Sequence, residues 1–386
     1  MPRAVLINNR RPGKILFVID EIQTLAAGTE GQILQLIRIA RDTGLLPHLA
    51  TLRGSSAVSE ESAGCPVSKW NLGSLSSAAS IREYFRFLLW LRRLQFDAVQ
   101  SFFPDANMIV PILARLAGIR NVISSRRNQN YWMTSGYRHI QRFSNLLTSR
   151  LVANCEAVKI AVAATEAISP NKIDVVVNGI DTNRFRPCSK IRQSARNRLG
   201  IPEDAVLIGI VANLRPVKRI DLFICAAAVV AQNVPQARFV IVGEGPLRSE
   251  LDRLASQLEI CDVVQFAGRQ SDPVPYLNAF DIGVLCSDSE GLSNTILEYL
   301  ACGLPCVVSR VGGNEEAIGE CGVVVPASDY EALAATLIEL AMSPNLRNQY
   351  AESARKRACA EFSLEAARRN FERIYLGLFN LHAPPE

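Results

Sequence analysis

The sequence predicts an α/β fold of two doubly wound, parallel-sheet domains, and three observations carry that reading. From Lys14 onward, short apolar stretches of strand length alternate with longer stretches of helical periodicity, the rhythm of parallel sheets covered by helices on both faces. A chain of 386 residues is long enough for two separate cores. The alternation is interrupted once, at Asn178–Lys190 (NGIDTNRFRPCSK), where Gly, Asp, Asn and Pro replace any periodicity and mark an interdomain connection.

In the first half, strands are expected at Ile15–Asp20, His48–Leu52, Ala98–Ser101, Asn121–Ser124, Leu151–Ala153 and Val175–Val177. Between them, helices are expected from Gly28 to about Arg41 and at Ser80–Leu94, Ala106–Leu116, Gly136–Thr148 and Ala157–Ala167. In the second half the same rhythm gives strands at Val206–Val211, Arg238–Val242, Val263–Phe266, Ile282–Leu285, Pro305–Ser309 and Val323–Val325. Helices are expected at Ile220–Gln232, Leu247–Gln257 and Asn294–Cys302, and three more close the chain at Tyr330–Ala341, Asn345–Phe362 and Leu364–Leu381. The domains are therefore residues 1–187 and 188–365, with residues 366–386 a helix crossing back to the first. Two such domains facing each other would bind ligands at the carboxyl ends of their strands, in the cleft.

Composition narrows the class. Hydrophobic content of 48% and charged content of 20% are those of a globular protein and argue against disorder. A net charge of +5 suits an anionic ligand or a membrane surface and is too small to indicate nucleic acid. The ten cysteines include no CxxC pair, and Cys302 and Cys306 lack the histidine neighbours of a zinc site, so no metal and no disulfide framework is expected. That pattern fits a reducing cytosolic compartment. No apolar run has the length of a membrane span, and the first residues lack the pattern of a signal peptide.

The richest stretch is Ser287–Gly313. Glu290 and Glu298 flank the start of a short helix with seven residues between them, and such a helix start offers unpaired backbone N–H groups to an anion. Phosphate on the N–H groups and hydroxyls on the carboxylates suggest a sugar nucleotide. Upstream, Asn213–Arg219 (NLRPVKR) puts Arg215, Lys218 and Arg219 at a strand's carboxyl end, where they suit a diphosphate; alone, the loop reads equally as a solvated basic turn. Gly243-Glu244-Gly245-Pro246 is half of a dinucleotide fingerprint and reads better as a strand-to-helix turn. Gly28 precedes the first helix, where it either admits a ligand close to the backbone or only makes a turn.

In the first domain, Ser124–Trp132 is a polar loop off a strand end, and Arg126, Arg127 and Trp132 there suit an acceptor carrying sugar or phosphate. Asp105, off the neighbouring strand end, reads equally as a helix cap or as a site residue. Of the three histidines, His48, His139 and His382, each reads as structural. The helix Ile81–Leu94 mixes four arginines with aromatic and aliphatic residues, as an interfacial helix would, or as a core helix of the sheet layer.

Taken together, VVNGIDTNRFRP (Val176–Pro187), LRPVKR (Leu214–Arg219), GEGPLR (Gly243–Arg248) and SEGLSNTILEYLACGLPCVVSRVGGNEE (Ser289–Glu316) resemble the retaining glycosyltransferases of family 4, which have the two-Rossmann GT-B fold. The resemblance spans about Lys14 to Leu381. It implies transfer of a sugar from a UDP- or GDP-sugar donor, with retention, to a glycan or lipid-linked acceptor in polysaccharide or glycolipid synthesis. It also implies that Glu298 receives the donor ribose hydroxyls and Glu290 the sugar hydroxyls. Gly291, Leu292, Ser293 and Asn294 would offer N–H groups to the diphosphate, and Lys218 would neutralise the leaving group, so that no metal or other cofactor is needed. Gly28, Asn213 and Gly243 fall at donor-site positions. The pattern departs from the family where Ala212-Asn213 replaces a Gly-Arg pair, with Arg215 taking over that charge. It departs again at Gln100–Phe103 and Ser124–Arg127, which hold no histidine; Asp105 or Arg126 would line that part of the site. Alternatives are a nucleotide-sugar epimerase on the same fold and a non-catalytic nucleotide-sugar-binding protein. Peripheral association with the inner face of an anionic membrane is expected from the basic balance and the Ile81–Leu94 helix.

Overall fold

The computed structural model describes residues 6–7, 11–23, 28–54, 57–73, 78–128 and 135–377. The chain divides into two compact units, Met1–Gly179 with Ala367–Glu386, and Ile180–Ala366. Ile180–Pro187, expected in the first domain, thus lie in the second unit.

Among the described residues the first unit holds a parallel sheet in the order Val67–Lys69, Leu46–Thr51, Lys14–Ile19, Ala98–Phe102, Asn121–Arg126, Arg150–Ala153, Ile173–Val175. From Ile15 to Ile19 strand Lys14–Ile19 is an unbroken apolar run because both its faces are covered. Ile15, Phe17 and Ile19 pack with the helix Gly28–Asp42 and with Phe371 and Tyr375. Leu16 and Val18 pack with Tyr84, Phe87, Leu91 and Val110 from helices Ala78–Leu94 and Pro104–Leu116. The order reverses between Lys14–Ile19 and Ala98–Phe102, and such a switch point opens a crevice at the strands' carboxyl ends.

The second unit repeats the plan. Its parallel strands run Val264–Gly268, Ala237–Val242, Val206–Val211, Ile282–Leu285, Cys306–Ser309, Gly322–Val325, with the reversal between Val206–Val211 and Ile282–Leu285. One contiguous core joins Ile208 and Ile210 to Phe223, Phe239, Val284 and Leu337.

Several elements depart from expectation. Helix Ser189–Leu199 begins at the end of the stretch read as interdomain connection and runs through residues given no element, and helix Val274–Ala279 and edge strand Val67–Lys69 are additional. The closing helix is α-helical only over Leu364–Phe371 and then widens to a π-helical turn, Glu372–Leu376. That turn stacks the Phe371 and Tyr375 rings at 4.0 Å and brings the Tyr375 hydroxyl to donate to Gln100 Oε1 at 2.7 Å. Among the described residues no helix is long and apolar enough to cross a membrane.

Candidate functional site

The switch point of the second unit collects the residues with the strongest chemistry. After strand Val206–Val211 the chain makes an exposed loop through Asn213 and Arg215, pinned by the fully buried Leu214, and then a 3₁₀ turn, Pro216–Lys218, before helix Ile220–Asn233. After strand Ile282–Leu285 a second loop carries Ser287 to Ser293 into helix Asn294–Ala301. The two loops are tied by the Asp288 N–H donating to Val217 O at 2.9 Å. Lys218 Nζ donates to Glu290 Oε1 at 2.5 Å, and the Ser287 hydroxyl donates to the same oxygen at 2.7 Å. With side chains 23% and 11% exposed, this ion pair is partly desolvated and stronger than a surface pair. Arg219, the third cation of the loop, is committed elsewhere: its guanidinium grips Asp221 and Asp288 and holds the turn in place. Arg215 is exposed and, among the described residues, forms no ion pair.

Glu298 lies on the helix that follows. Tyr299 beside it is fully buried, its hydroxyl donating to Val284 O and accepting from the Val211 N–H, both at 3.1 Å, so the helix is bolted to the ends of two strands. Glu298 itself is half-buried, and among the described residues no donor meets its carboxylate. Burial pushes its carboxyl up to about 7; Arg184 pulls the other way and Asp272 adds to the rise. Ser293 opens the helix without a side-chain cap, and the backbone N–H groups of its first turn point out of the helix start. A half-buried carboxylate thus stands about one turn from a helix start, the end of the helix dipole that favours an anion.

Two glycines let these loops approach. At Gly243, φ is +145°, and a Cβ would lie 1.9 Å from Ala212 O; the turn therefore presses on the Asn213 loop. Gly312, at φ +52°, is held against the Glu290 carbonyl, which a Cβ would meet at 2.1 Å. Gly243-Glu244-Gly245-Pro246 is a strand-to-helix turn, as read, with the helix beginning at Arg248.

In the first unit the expected residues scatter. Gly28, at φ +70°, opens the first helix. Asp105 does not cap helix Pro104–Leu116; it pairs with Arg53. The cap is Asp20, whose carboxylate accepts from the Asp105 and Ala106 N–H groups at 3.1 and 2.7 Å. Burial raises the Asp20 carboxyl to about 6 despite those bonds. Sequence reading passed over Asp20 as the last residue of a strand, because its partners are 85 and 86 residues away.

Arg126 corrects an expectation. It is 3% exposed, and all five of its N–H donors are used: two on Glu166, one each on Asn145, Ser124 and the Ser125 carbonyl. No donor remains for an acceptor, so Arg126 belongs to the core. Arg127 is half-buried, donates to Asn178, and lines a cavity of about 20 Å³ with Gln32, Gln100 and Tyr375; burial lowers its guanidinium to about 10. Trp132 lies outside the described residues. His48 bonds Ser68 at 2.9 Å between the rings of Trp90 and Phe96, a structural setting.

Residues 191–357 match the family Glycosyl transferases group 1, and residues 26–184 match Glycosyltransferase Family 4. A D-inositol 3-phosphate glycosyltransferase of Saccharomonospora viridis is 33% identical over 222 residues, 54% of this chain and 51% of that protein. The chain thus spans about half the length of such relatives. A UDP-Gal:α-D-GlcNAc-diphosphoundecaprenol α-1,3-galactosyltransferase of Escherichia coli is 27% identical over 72% of this chain and 76% of its own. Among solved structures, Anabaena HepE in complex with UDP superposes with a TM-score of 0.81 at 20% identity, covering 94% of this chain and 100% of that one. WaaG, a glycosyltransferase involved in lipopolysaccharide biosynthesis, does so at 0.74 and 18%, covering 93% and 99%. The loops and carboxylates of the second unit therefore sit on a GT-B scaffold, and the chain belongs to the family 4, group 1 glycosyltransferases.

Proposed function

We propose that the protein is a retaining glycosyltransferase that moves a sugar from a UDP- or GDP-sugar to a glycan or lipid-linked acceptor. The observation that carries this reading is the partly buried Lys218–Glu290 pair beside the start of helix Asn294–Ala301, with Glu298 one turn along. In the reaction the bond between the sugar's anomeric carbon and the diphosphate breaks, the acceptor hydroxyl adds to the same face, and its proton leaves with the nucleotide or to solvent. Charge grows on the departing phosphate. Lys218, Arg215 and the N–H groups of Gly291, Leu292, Ser293 and Asn294 stabilise that charge from fixed positions, more strongly in the transition state than before it, and no metal ion is required.

Glu298 receives the ribose hydroxyls and Glu290 the sugar hydroxyls, while Glu290 also holds Lys218 in register. Gly243 and Asn213 shape the diphosphate side of the pocket. A nucleotide-linked donor and a lipid-linked acceptor are the substrates printed in the name of the Escherichia coli relative, which supports both choices here.

The test is turnover of UDP- and GDP-sugars on polyprenyl-linked and free glycan acceptors. Lys218→Ala is expected to lower kcat about a hundredfold or more, and Glu298→Ala to abolish measurable transfer while leaving the fold intact. Undiminished transfer by Glu298→Ala would overturn the assignment, and a product of inverted anomeric configuration would overturn retention.

A further inference from the structure

Helix Ser135–Leu147 is built inside out. Its buried side is polar: Gln141, Ser144 and Asn145 are 3%, 0% and 4% exposed. Its apolar side chains stand in solvent, with Ile140, Phe143 and Leu146 at 50%, 55% and 77%. A surface helix that serves only the fold does the reverse.

The inversion is locked. Gln141 Nε2 donates to Asn145 Oδ1 at 3.1 Å, Asn145 Nδ2 donates to Glu166 Oε2 at 2.7 Å, and Arg126 closes the network on Glu166 and Asn145. The Ser144 hydroxyl donates to Met108 O. Rolling the helix to hide its apolar face would break all of these bonds and strand a buried ion pair, so the exposed face is fixed by the fold.

A second helix presents the same chemistry. Ala78–Leu94 exposes Ile81, Phe85 and Leu89 by 59%, 58% and 46%, spaced four apart and so in one stripe, with Arg82, Arg86 and Arg93 also exposed. Helix Pro104–Leu116 joins the two into one layer. Arg92 donates to Leu116 O at 2.9 Å, Arg115 donates to Leu147 O at 2.6 Å, and Leu116 between them is 55% exposed. Helices Ala78–Leu94 and Ser135–Leu147 together carry six arginines and one carboxylate, an excess equal to the whole chain's net charge of +5.

We propose that this helix layer is a docking surface for an anionic phospholipid bilayer, the apolar side chains entering the headgroup–acyl boundary and the arginines meeting lipid phosphates. Apolar stripes interleaved with arginine are the composition of helices that lie in such an interface. The alternative occupant, a second copy of the chain, would bring two surfaces of the same strong positive sign together, which repel; a lipid surface has the complementary sign. The inference stands on the first unit alone and does not depend on the sugar-transfer reading.

Sedimentation of the intact chain with vesicles tests it. Binding is expected to phosphatidylcholine vesicles containing phosphatidylglycerol, to be much weaker to phosphatidylcholine alone, and to fall as salt rises. The triple variant Ile140→Ser, Phe143→Ser, Leu146→Ser is expected to bind at least about tenfold more weakly. Arg82→Gln with Arg138→Gln is expected to lose about fivefold for each arginine removed. These side chains are solvent-exposed, so unchanged melting temperatures accompany both variants. No sedimentation with the anionic vesicles, or equal binding by the variants, overturns the proposal. So does a dimer in sedimentation equilibrium that the triple variant dissociates, which would give the face to a second copy.

Discussion

Burial holds the Glu298 carboxyl near 7, well above the ordinary glutamate value, and the sign of its effect on stability follows from that. Between the ordinary value and about 7 the folded chain binds a proton there that the unfolded chain has released, so folding weakens as pH rises through this window. The Glu298→Gln variant keeps the shape and cannot ionise. Its melting temperature, measured without ligand, is expected to gain on the parent as pH rises from about 4.5 to about 7 and then hold a constant lead; parallel curves would show that Glu298 is not desolvated. The same carboxylate must be ionised to accept two hydroxyls, so the donor KM of the parent should rise as pH falls below about 7. Both glutamates could be picked out of the sequence because they fall within one local motif, and Lys218 because it stands in a second, the basic loop Asn213–Arg219. The true role of Arg126 could not, because Glu166 is 40 residues away and nothing near Arg126 in the chain announces a buried partner. Truncating Arg126→Ala leaves Glu166 buried without its cation and is expected to cost about 3–5 kcal/mol, most of it recovered when Glu166→Leu is added and Arg126 is changed to Met instead. Chemical denaturation measures both.

At the scale of elements, apolar periodicity located those that bury an apolar face and missed those held by polar anchors. Helix Ser189–Leu199 buries only Ala195 and Arg196, and it is fastened by Arg192 and Arg196 to Asp281 at 2.5 and 3.0 Å, a pattern that hydrophobic spacing cannot register. Helix Ser135–Leu147 shows the converse: its period was legible, but which side faces inward was decided by Glu166 and Asn107, far off in sequence. The short edge strand Val67–Lys69 is too brief to show alternation. Loop approach was equally hidden, since a glycine gives no sign of what presses on it. Gly312 meets the Glu290 carbonyl, so Gly312→Ala must both adopt an unfavourable φ and push the Glu290 loop outward. A loss of about 1–3 kcal/mol is expected in denaturant melts, with transfer falling further than the stability loss explains because the Lys218–Glu290 geometry moves with the loop. Equal activity per folded molecule would show that the loop's position is not critical.

For the whole molecule, the two-unit plan was legible from rhythm, whereas the boundary was not, because long-range bonds set it. Gly179 is held by Gln32, whose amide donates to its carbonyl at 2.9 Å and accepts from its N–H at 3.2 Å across 147 residues. The next residue, Ile180, donates its N–H to Phe362 O at 2.7 Å and so belongs to the second unit. The division therefore falls between adjacent residues, inside a segment whose composition reads as uniform loop. Each unit closes its own core, one around Ile208, Phe239 and Val284 and the other around the two faces of strand Lys14–Ile19. Separate cores predict separable melting transitions in calorimetry of the intact chain. Arg126→Ala should lower the transition of the first unit, which marks it. UDP, if the Lys218 and Glu298 region holds the diphosphate and ribose, should raise the other one, by about 2.7 kcal/mol of stabilisation at a hundredfold excess over its Kd. A UDP shift confined to the transition that Arg126→Ala lowers would place the nucleotide in the first unit and overturn the donor-site assignment.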